Sequence, residues 1–155
     1  MFMVEARTQI AAPATVVWDV LMDMGRYAEW STLLHAEQTA PPQRGGIIRL
    51  RLSMPGGPSY SFAPEVITLE VNQHFAWRQK TALPGIFDGE HHFVLNPVGT
   101  AGTDLHNYEY YSGLLSPIIR RLPMMQGATG GFEAMNDEIR RRSESLYAKA
   151  NEEAP

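Results

Sequence analysis

His91 and Glu109 lie on neighbouring predicted strands, where an imidazole and a carboxylate could act together. Side chains alternate along a strand, so His91 shares a face with Phe93, and that face is the more apolar one. On the following strand, Glu109 shares a face with Asn107. If the two strands pair across the turn at residues 99–102, His91 and Glu109 become close to cross-strand neighbours.

Three chemistries are open to such a pair. The carboxylate could fix the tautomer of the histidine so that the two groups act as a general acid and base. The same groups could orient a hydroxyl or carbonyl group of a bound molecule. They could also form a structural pair, because buried polar groups need partners. The residues of the second strand do not decide which of its faces is inward, since the opposite face carries Tyr108 and Tyr110.

The remaining polar residues give weaker signals. The adjacent His91 and His92 point to opposite faces and cannot chelate one metal ion together. Because the His91 face is the more apolar one, His92 is expected in solvent. The five histidines form no H-x-H or H-E-x-x-H motif, and the chain has no cysteine. No nucleophile elbow, P-loop or dinucleotide-binding fingerprint is present in the sequence. We therefore expect neither a metal site nor a cofactor.

Composition bounds the possible partners. The 155 residues are 44% hydrophobic and 19% charged, as in an ordinary globular domain with a full core. The net charge of −4 argues against nucleic acid as a partner, since nucleic acid favours a basic face. Arginines cluster at residues 120–121 and 140–142. We expect each cluster to lie on a predicted helix beside acids, and we interpret both as solvated helix faces.

The chain shows no targeting or membrane signal. Its first residues, MFMVEARTQI, lack the basic region and apolar run of a signal peptide. Its apolar stretches fall far short of the ~20 residues that cross a bilayer. We expect a cytoplasmic protein without stable membrane insertion.

The order of elements suggests how the polar pair is held. A strand over residues 1–10 ends at Pro13, which then fits the first turn of a helix. A second, shorter helix follows and carries Tyr27 and Trp30. Short strands with small turns then predict an antiparallel meander, with one strand over residues 60–71.

The period changes to 3.6 residues in the last third of the chain, which predicts a long helix over residues 126–149. The apolar stripe expected to face the sheet comprises Met125, Phe132, Met135 and Ile139. The residues expected in solvent are Glu138, Arg141 and Glu144. Together the elements predict an α+β fold, in which six or seven curved antiparallel strands wrap on this helix and two short helices follow the first strand.

This arrangement resembles the helix-grip fold of the START-like (SRPBCC) superfamily, and in particular its polyketide cyclase/dehydrase-like branch. The resemblance spans about residues 4–147 and implies one domain over residues 1–150, with a tail at residues 151–155. The residues that carry the resemblance are Ile10, Ala12, Pro13, Val17, Trp18, Leu21, Asp23, Tyr27, Trp30, Trp77, the run Gly89–Phe93, Gly102, Thr103, Glu109 and Ser112–Leu114.

The resemblance places the Glu109 face inward and implies a cavity between the sheet and the last helix. The implied function is binding of a small hydrophobic molecule that is lipid-like, aromatic or polyketide-like. The alternative is a cofactor-free cyclase, dehydratase or isomerase that uses His91 and Glu109 as an acid/base pair. A homodimer is compatible with either function. The expected lining residues are Trp77, His91, Phe93, Asn107, Glu109, Tyr111, Met125 and Phe132.

Overall fold

A computed structural model describes residues 1–53, 57–80, 85–122, 125 and 127–153 of the chain. Its elements follow the predicted order: a first strand, short helices, the remaining strands and finally the longest helix. In chain order they are β1 (Phe2–Ile10), α1 (Ala14–Met22), a 3₁₀ turn (Met24–Arg26), α2 (Tyr27–Trp30), β2 (Leu34–Ala36), β3 (Leu50–Ser53), β4 (Ser59–Phe62), β5 (Glu65–Glu70), β6 (His74–Lys80), β7 (Asp88–Val98), β8 (Gly102–Ser112), α3 (Ser116–Ile119) and α4 (Ala128–Glu152).

The strands form two antiparallel sheets. The larger has the order β1-β8-β7-β6-β5 and the smaller the order β2-β3-β4. The described residues thus contain eight strands rather than six or seven, because the single strand predicted over residues 60–71 is divided into β4 and β5. Pro64 lies at the division, where it has no amide to donate and its carbonyl accepts a hydrogen bond from the Ile48 amide at 3.0 Å.

Helix α4 covers the inner face of the larger sheet, which confirms the helix-grip arrangement. Met135 and Ile139 are buried in the main core with residues of the sheet and of α1. Phe132 packs with Val4 and Ala6 of β1 in a second, smaller apolar cluster. The apolar stripe read from the sequence therefore faces the sheet at these three helix positions.

The bounds of α4 differ slightly from the prediction. The helix extends from Ala128 to Glu152, three residues beyond the predicted end at Lys149. It therefore continues two residues into the segment predicted to be a tail. Gln126, where the helix was expected to begin, lies outside the described residues. Met135 and Ile139 of α4 share one buried core with residues of the sheet and of α1, and a single domain over residues 1–150 stays our prediction.

The prediction that Glu138 is exposed is wrong. Glu138 is only 6% exposed, and its carboxylate accepts hydrogen bonds from the Ser31 hydroxyl at 2.7 Å and the Thr32 amide at 2.8 Å. The helical period alone could not show that the end of α2 covers this face of α4. Glu144 is also half-buried, with its carboxylate accepting from the Ala11 amide at 3.0 Å, whereas Arg141 is exposed as expected.

Replacing Glu138 with alanine should lower the free energy of unfolding by about 2–3 kcal/mol. The Ser31 hydroxyl and the Thr32 amide would lose a charged acceptor in a buried setting, and such hydrogen bonds contribute about 1.5–3 kcal/mol. Urea denaturation measures the change, with Glu133→Ala as the control because Glu133 is exposed on the same helix. Equal stabilities of the two variants would contradict an anchoring role for Glu138.

Candidate functional site

The inner face of the larger sheet brings the predicted polar pair together. In the register of β7 and β8, His91 lies opposite Glu109, and in that of β6 and β7 it lies opposite Trp77. The antiparallel turn at residues 99–102 sets this register, because β7 and β8 pair without interruption from Val98 to Asp88. The three side chains therefore lie side by side on the face that α4 covers.

Among the described residues, protein groups surround the His91 ring. It is 5% exposed and is stacked between Trp77 and Phe132, with ring centroids 4.7 and 5.1 Å away. Its Nε2 lies 2.7 Å from Asn107 Oδ1, and its Nδ1 lies 3.3 Å from Glu109 Oε2. Both ring nitrogens and both ring faces are thus in contact with protein.

The hydrogen-bond network assigns the proton on Nε2. The Asn107 amide group donates to Asn136 Oδ1 at 2.9 Å and also points to the Met135 sulfur at 3.6 Å. The Asn107 oxygen is consequently the acceptor toward His91, and His91 Nε2 is the donor. Nε2 therefore donates to Asn107, and Nδ1 lies against the Glu109 carboxylate, so protein groups lie next to both nitrogens.

Glu109 is the polar group of this network that is partly exposed. Its side chain is 18% exposed, and its Oε2 accepts a hydrogen bond from the Tyr111 hydroxyl at 2.8 Å. Among the described residues, no group donates to Oε1. Burial, the negative charge of Glu109 and the hydrogen bond to it raise the pKa of Tyr111, so the phenol stays protonated and remains the donor at neutral pH.

A glycine makes room for this carboxylate. A Cβ atom at Gly89, opposite Tyr111 in the register, would come 2.5 Å from Glu109 Oε1. Any larger residue at this position would therefore push the carboxylate away from where it now lies. The space that the Glu109 carboxylate needs thus explains why a glycine stands at position 89.

The inner face opens toward one end of the sheet. Leu95, Leu105 and Asn107 are fully buried, whereas Glu109 and Tyr111, further along β8, are partly exposed. The walls at this end are apolar and aromatic, and Tyr111 stacks on two other rings at 4.9 and 5.5 Å. The partly buried residues around this opening are Phe2, Phe87, Tyr111, Met125 and Ala128.

The eight residues named from the sequence separate into two groups. An enclosed group packs around the imidazole and comprises Trp77, His91, Phe93, Asn107 and Phe132, all buried. The partly exposed group at the opening comprises Glu109, Tyr111 and Met125. The sequence reasoning did not name Asn136, Gly89, Phe2 or Phe87 as site residues. Asn136 had a detectable signal, because it is a polar residue inside the apolar helical stripe, one position after Met135.

The prediction that His92 lies in solvent is wrong. The residue is 9% exposed, its ring stacks on Tyr108 at 4.6 Å, and its Nδ1 lies 2.9 Å from His74 Nε2. The outer face of the sheet therefore buries large side chains too, and strand alternation alone could not distinguish this from a solvated face. Burial chiefly, with the nearby His74, lowers the pKa of His92 to about 4.

The depressed pKa of His92 predicts acid destabilisation. The unfolded chain binds the proton near pH 6.5 and the folded chain only near pH 4, so the free energy of unfolding falls as the pH falls between these values. Because solvent reaches part of the ring, we expect a contribution of about 1–2 kcal/mol. The difference in unfolding free energy between pH 7 and 4.5 should be smaller in His92→Phe than in the wild type. Identical pH profiles would contradict this assignment.

Two searches bear on other classes of site. No group of three or more histidines or acids within the described residues could hold a metal ion. Among helices in the described part of the chain, none combines the length and apolarity needed to cross a bilayer.

Comparisons with known proteins agree with this architecture. The sequence pattern of a family described as "Polyketide cyclase / dehydrase and lipid transport" matches residues 1–144. No curated protein matches the sequence significantly. A START superfamily protein from Mycobacterium smegmatis superposes with a TM-score of 0.69 at 19% identity, over 93% of this chain and 98% of that one.

Two further solved structures show the same fold. A protein from Mesorhizobium loti has a TM-score of 0.65 at 22% identity, over 91% of this chain and 96% of its own. Norcoclaurine synthase from Thalictrum flavum, solved with dopamine and hydroxybenzaldehyde, has a TM-score of 0.65 at 16% identity, over 90% of this chain and 84% of its own. At these identities the likeness establishes the fold alone.

A curved antiparallel sheet closed by a C-terminal helix, with a polar network on its inner face, defines a protein of the START-like (SRPBCC) class. Within that class, the chain belongs to the polyketide cyclase/dehydrase and lipid transport family.

Proposed function

We propose that this protein binds a small, mostly apolar molecule at the open end of its inner face, in a cavity between the sheet and α4. The carboxylate of Glu109 carries the proposal, because one of its oxygens is held by Tyr111 and no described group donates to the other, in a side chain that is partly exposed. A pocket with apolar walls and a few fixed polar groups is typical of small-molecule sites. The eight residues named from the sequence form the proposed site: Glu109, Tyr111 and Met125 line its opening, and the five buried residues support them from behind.

The proposed site favours a ligand that carries a hydrogen-bond donor. Both described partners of Glu109, Tyr111 and His91, contact Oε2, which leaves Oε1, beside Gly89, as an acceptor for a ligand. A ligand hydroxyl could donate to this oxygen while its apolar body rests against the partly exposed rings of Phe2 and Phe87. A ligand that is lipid-like, aromatic or polyketide-like and carries a hydroxyl group fits this chemistry.

A matched pair of aromatic probes tests this function. By calorimetry, we expect 2-naphthol to bind about tenfold more tightly than 2-methoxynaphthalene, since only the former donates a hydrogen bond to a charged acceptor. Gly89→Ala and Glu109→Gln should both reduce this preference, one by displacing the carboxylate and the other by removing its charge. Glu133→Gln, on the exposed face of α4, is the control. Failure of both probes to bind, or equal affinities in the wild type, would contradict the proposal.

A cofactor-free enzyme is the second candidate, favoured by the 3.3 Å contact between His91 Nδ1 and Glu109 Oε2. Glu109 would accept a proton from a carbon next to a substrate carbonyl, leaving an enolate, and return it to the same or another atom of the substrate. With a proton on Nδ1 as well as on Nε2, the His91 imidazolium would hold the carboxylate in position and stabilise its charge. Such proton transfers underlie cyclisation, dehydration and isomerisation of polyketide-like molecules.

Exchange of a ketone's α-protons separates the two candidates. An enzyme should speed the exchange of 1-tetralone protons with D₂O above the buffer rate, as followed by NMR, and Glu109→Gln should remove that gain. His91→Ala should remove most of the exchange in an enzyme but weaken 2-naphthol binding only modestly in a carrier. Exchange at the buffer rate, with binding intact, would favour the carrier.

A further inference from the structure

We infer that the segment of residues 114–122, which contains α3, is a docking surface for anionic lipid membranes. Four of its aliphatic side chains project into solvent, which is unusual for residues of this size grouped in one short segment. They are Leu114 (79% exposed), Ile118 (60%), Leu115 (41%) and Leu122 (40%). Here we call this segment the α3 patch.

The positive charge of the α3 patch indicates which kind of partner it would bind. Arg120 and Arg121 are exposed within it, and among the ion pairs of the described residues none involves either arginine. Between Glu109 and Glu133 the sequence contains no acidic residue, although the whole chain carries a net charge of −4. The expectation that Arg120 and Arg121 lie beside acids therefore does not hold along this stretch.

Exposed aliphatic side chains, beside arginines that have no ion pair among the described residues, are suited to the boundary between anionic headgroups and acyl chains of a membrane. A second copy of the chain fits less well, because a two-fold contact between the patches would bring four arginines together without acids from the same stretch.

The backbone holds the α3 patch at the open end of the inner face. The Leu114 and Leu115 amides donate to the carbonyls of Gly85 and Ile86, at 3.0 and 2.9 Å. Gly113 makes the bend with φ +103, and a Cβ there would collide with the Ile86 carbonyl oxygen. The patch thus begins two residues after β8 ends and follows directly on the strand that carries Glu109 and Tyr111. An apolar molecule could pass between a membrane and the proposed site over a short path.

Vesicle sedimentation of the full chain without ligand tests the inference. We expect binding to vesicles of equal phosphatidylglycerol and phosphatidylcholine, and much weaker binding to phosphatidylcholine alone. Each arginine near an anionic surface contributes about fivefold, so Arg120→Gln/Arg121→Gln should bind about 25-fold more weakly at low salt. The control, Arg44→Gln/Arg141→Gln, removes the same charge from exposed positions elsewhere.

A second pair of variants tests the aliphatic contribution. Leu114→Ser/Ile118→Ser should also weaken vesicle binding, whereas Ile47→Ser/Val71→Ser should not, although Ile47 and Val71 are 55% and 64% exposed. Equal losses in patch and control variants, or no vesicle binding by the folded wild type, would overturn the inference. A wild-type dimer that Leu114→Ser/Ile118→Ser dissociates, without vesicle binding, would overturn it in favour of a second copy. Since no ligand is present, these outcomes are separate from those of the naphthol test.

Discussion

Replacing Phe132 with alanine should lower the free energy of unfolding by about 3–5 kcal/mol, the range for removing a buried phenylalanine from a packed core. The residue is 8% exposed, packs with Val4 and Ala6, and covers one face of the His91 ring. Alanine would leave a void between α4 and the sheet and would uncover the imidazole. Chemical denaturation measures the effect.

Two variants make the Phe132 result interpretable. Tyr60→Ala removes an aromatic ring that is 48% exposed on β4 and should change stability far less. Phe132→Leu keeps most of the apolar volume and should lie between Phe132→Ala and the wild type. If Phe132→Ala left the thermal midpoint unchanged, Phe132 would be lining open space rather than packing against the sheet. The stacking on His91 would then contribute little to the fold.

The inner face of the sheet could be predicted because antiparallel strands obey two simple rules. Alternation places His91 with Phe93 and Glu109 with Asn107, and the short turn before β8 sets which residues lie opposite each other. Resemblance to a known family was needed only to decide which face of β8 is inward. Once this was decided, the approach of His91 to Glu109 followed from the register.

What the sequence could not predict depends on contacts between distant elements. Glu138 is buried because Ser31 and Thr32, more than 100 residues earlier, supply donors to it. His92 is buried because His74 and Tyr108 cover the outer face of the sheet, which alternation treats as solvated. A helical or strand period describes one element, and neither period shows which polar residues find partners on another.

The same reasoning changes the roles within the polar pair. From the sequence, His91 and Glu109 were equivalent candidates for contact with a ligand or substrate. In the structure protein groups lie next to both nitrogens of His91, whereas no described group donates to Glu109 Oε1. We therefore propose that His91 positions Glu109 in either proposed function.

Asn107→Ala should be the most damaging substitution within the polar network, with an expected loss of about 3–4 kcal/mol. Asn107 is fully buried and links His91 to Asn136, with contacts of 2.7 and 2.9 Å. Its loss would leave the His91 Nε2–H and the Asn136 oxygen without partners, and each buried unsatisfied group costs about 1–3 kcal/mol. The measurement is urea denaturation, with Asn96→Ala as the control because Asn96 is exposed on β7.

A double-mutant cycle separates the network from simple loss of volume. Because Asn107 and Asn136 bond to each other, Asn136→Ala should cost much less in the Asn107→Ala background than in the wild type, by about 1–2 kcal/mol. Asn136 also donates to the Thr8 hydroxyl at 3.3 Å, so its removal should keep some cost of its own. Additive effects of the two substitutions would mean that the amides stabilise the fold separately. His91 would then be held by Trp77 and Phe132 more than by the hydrogen bond to Asn107.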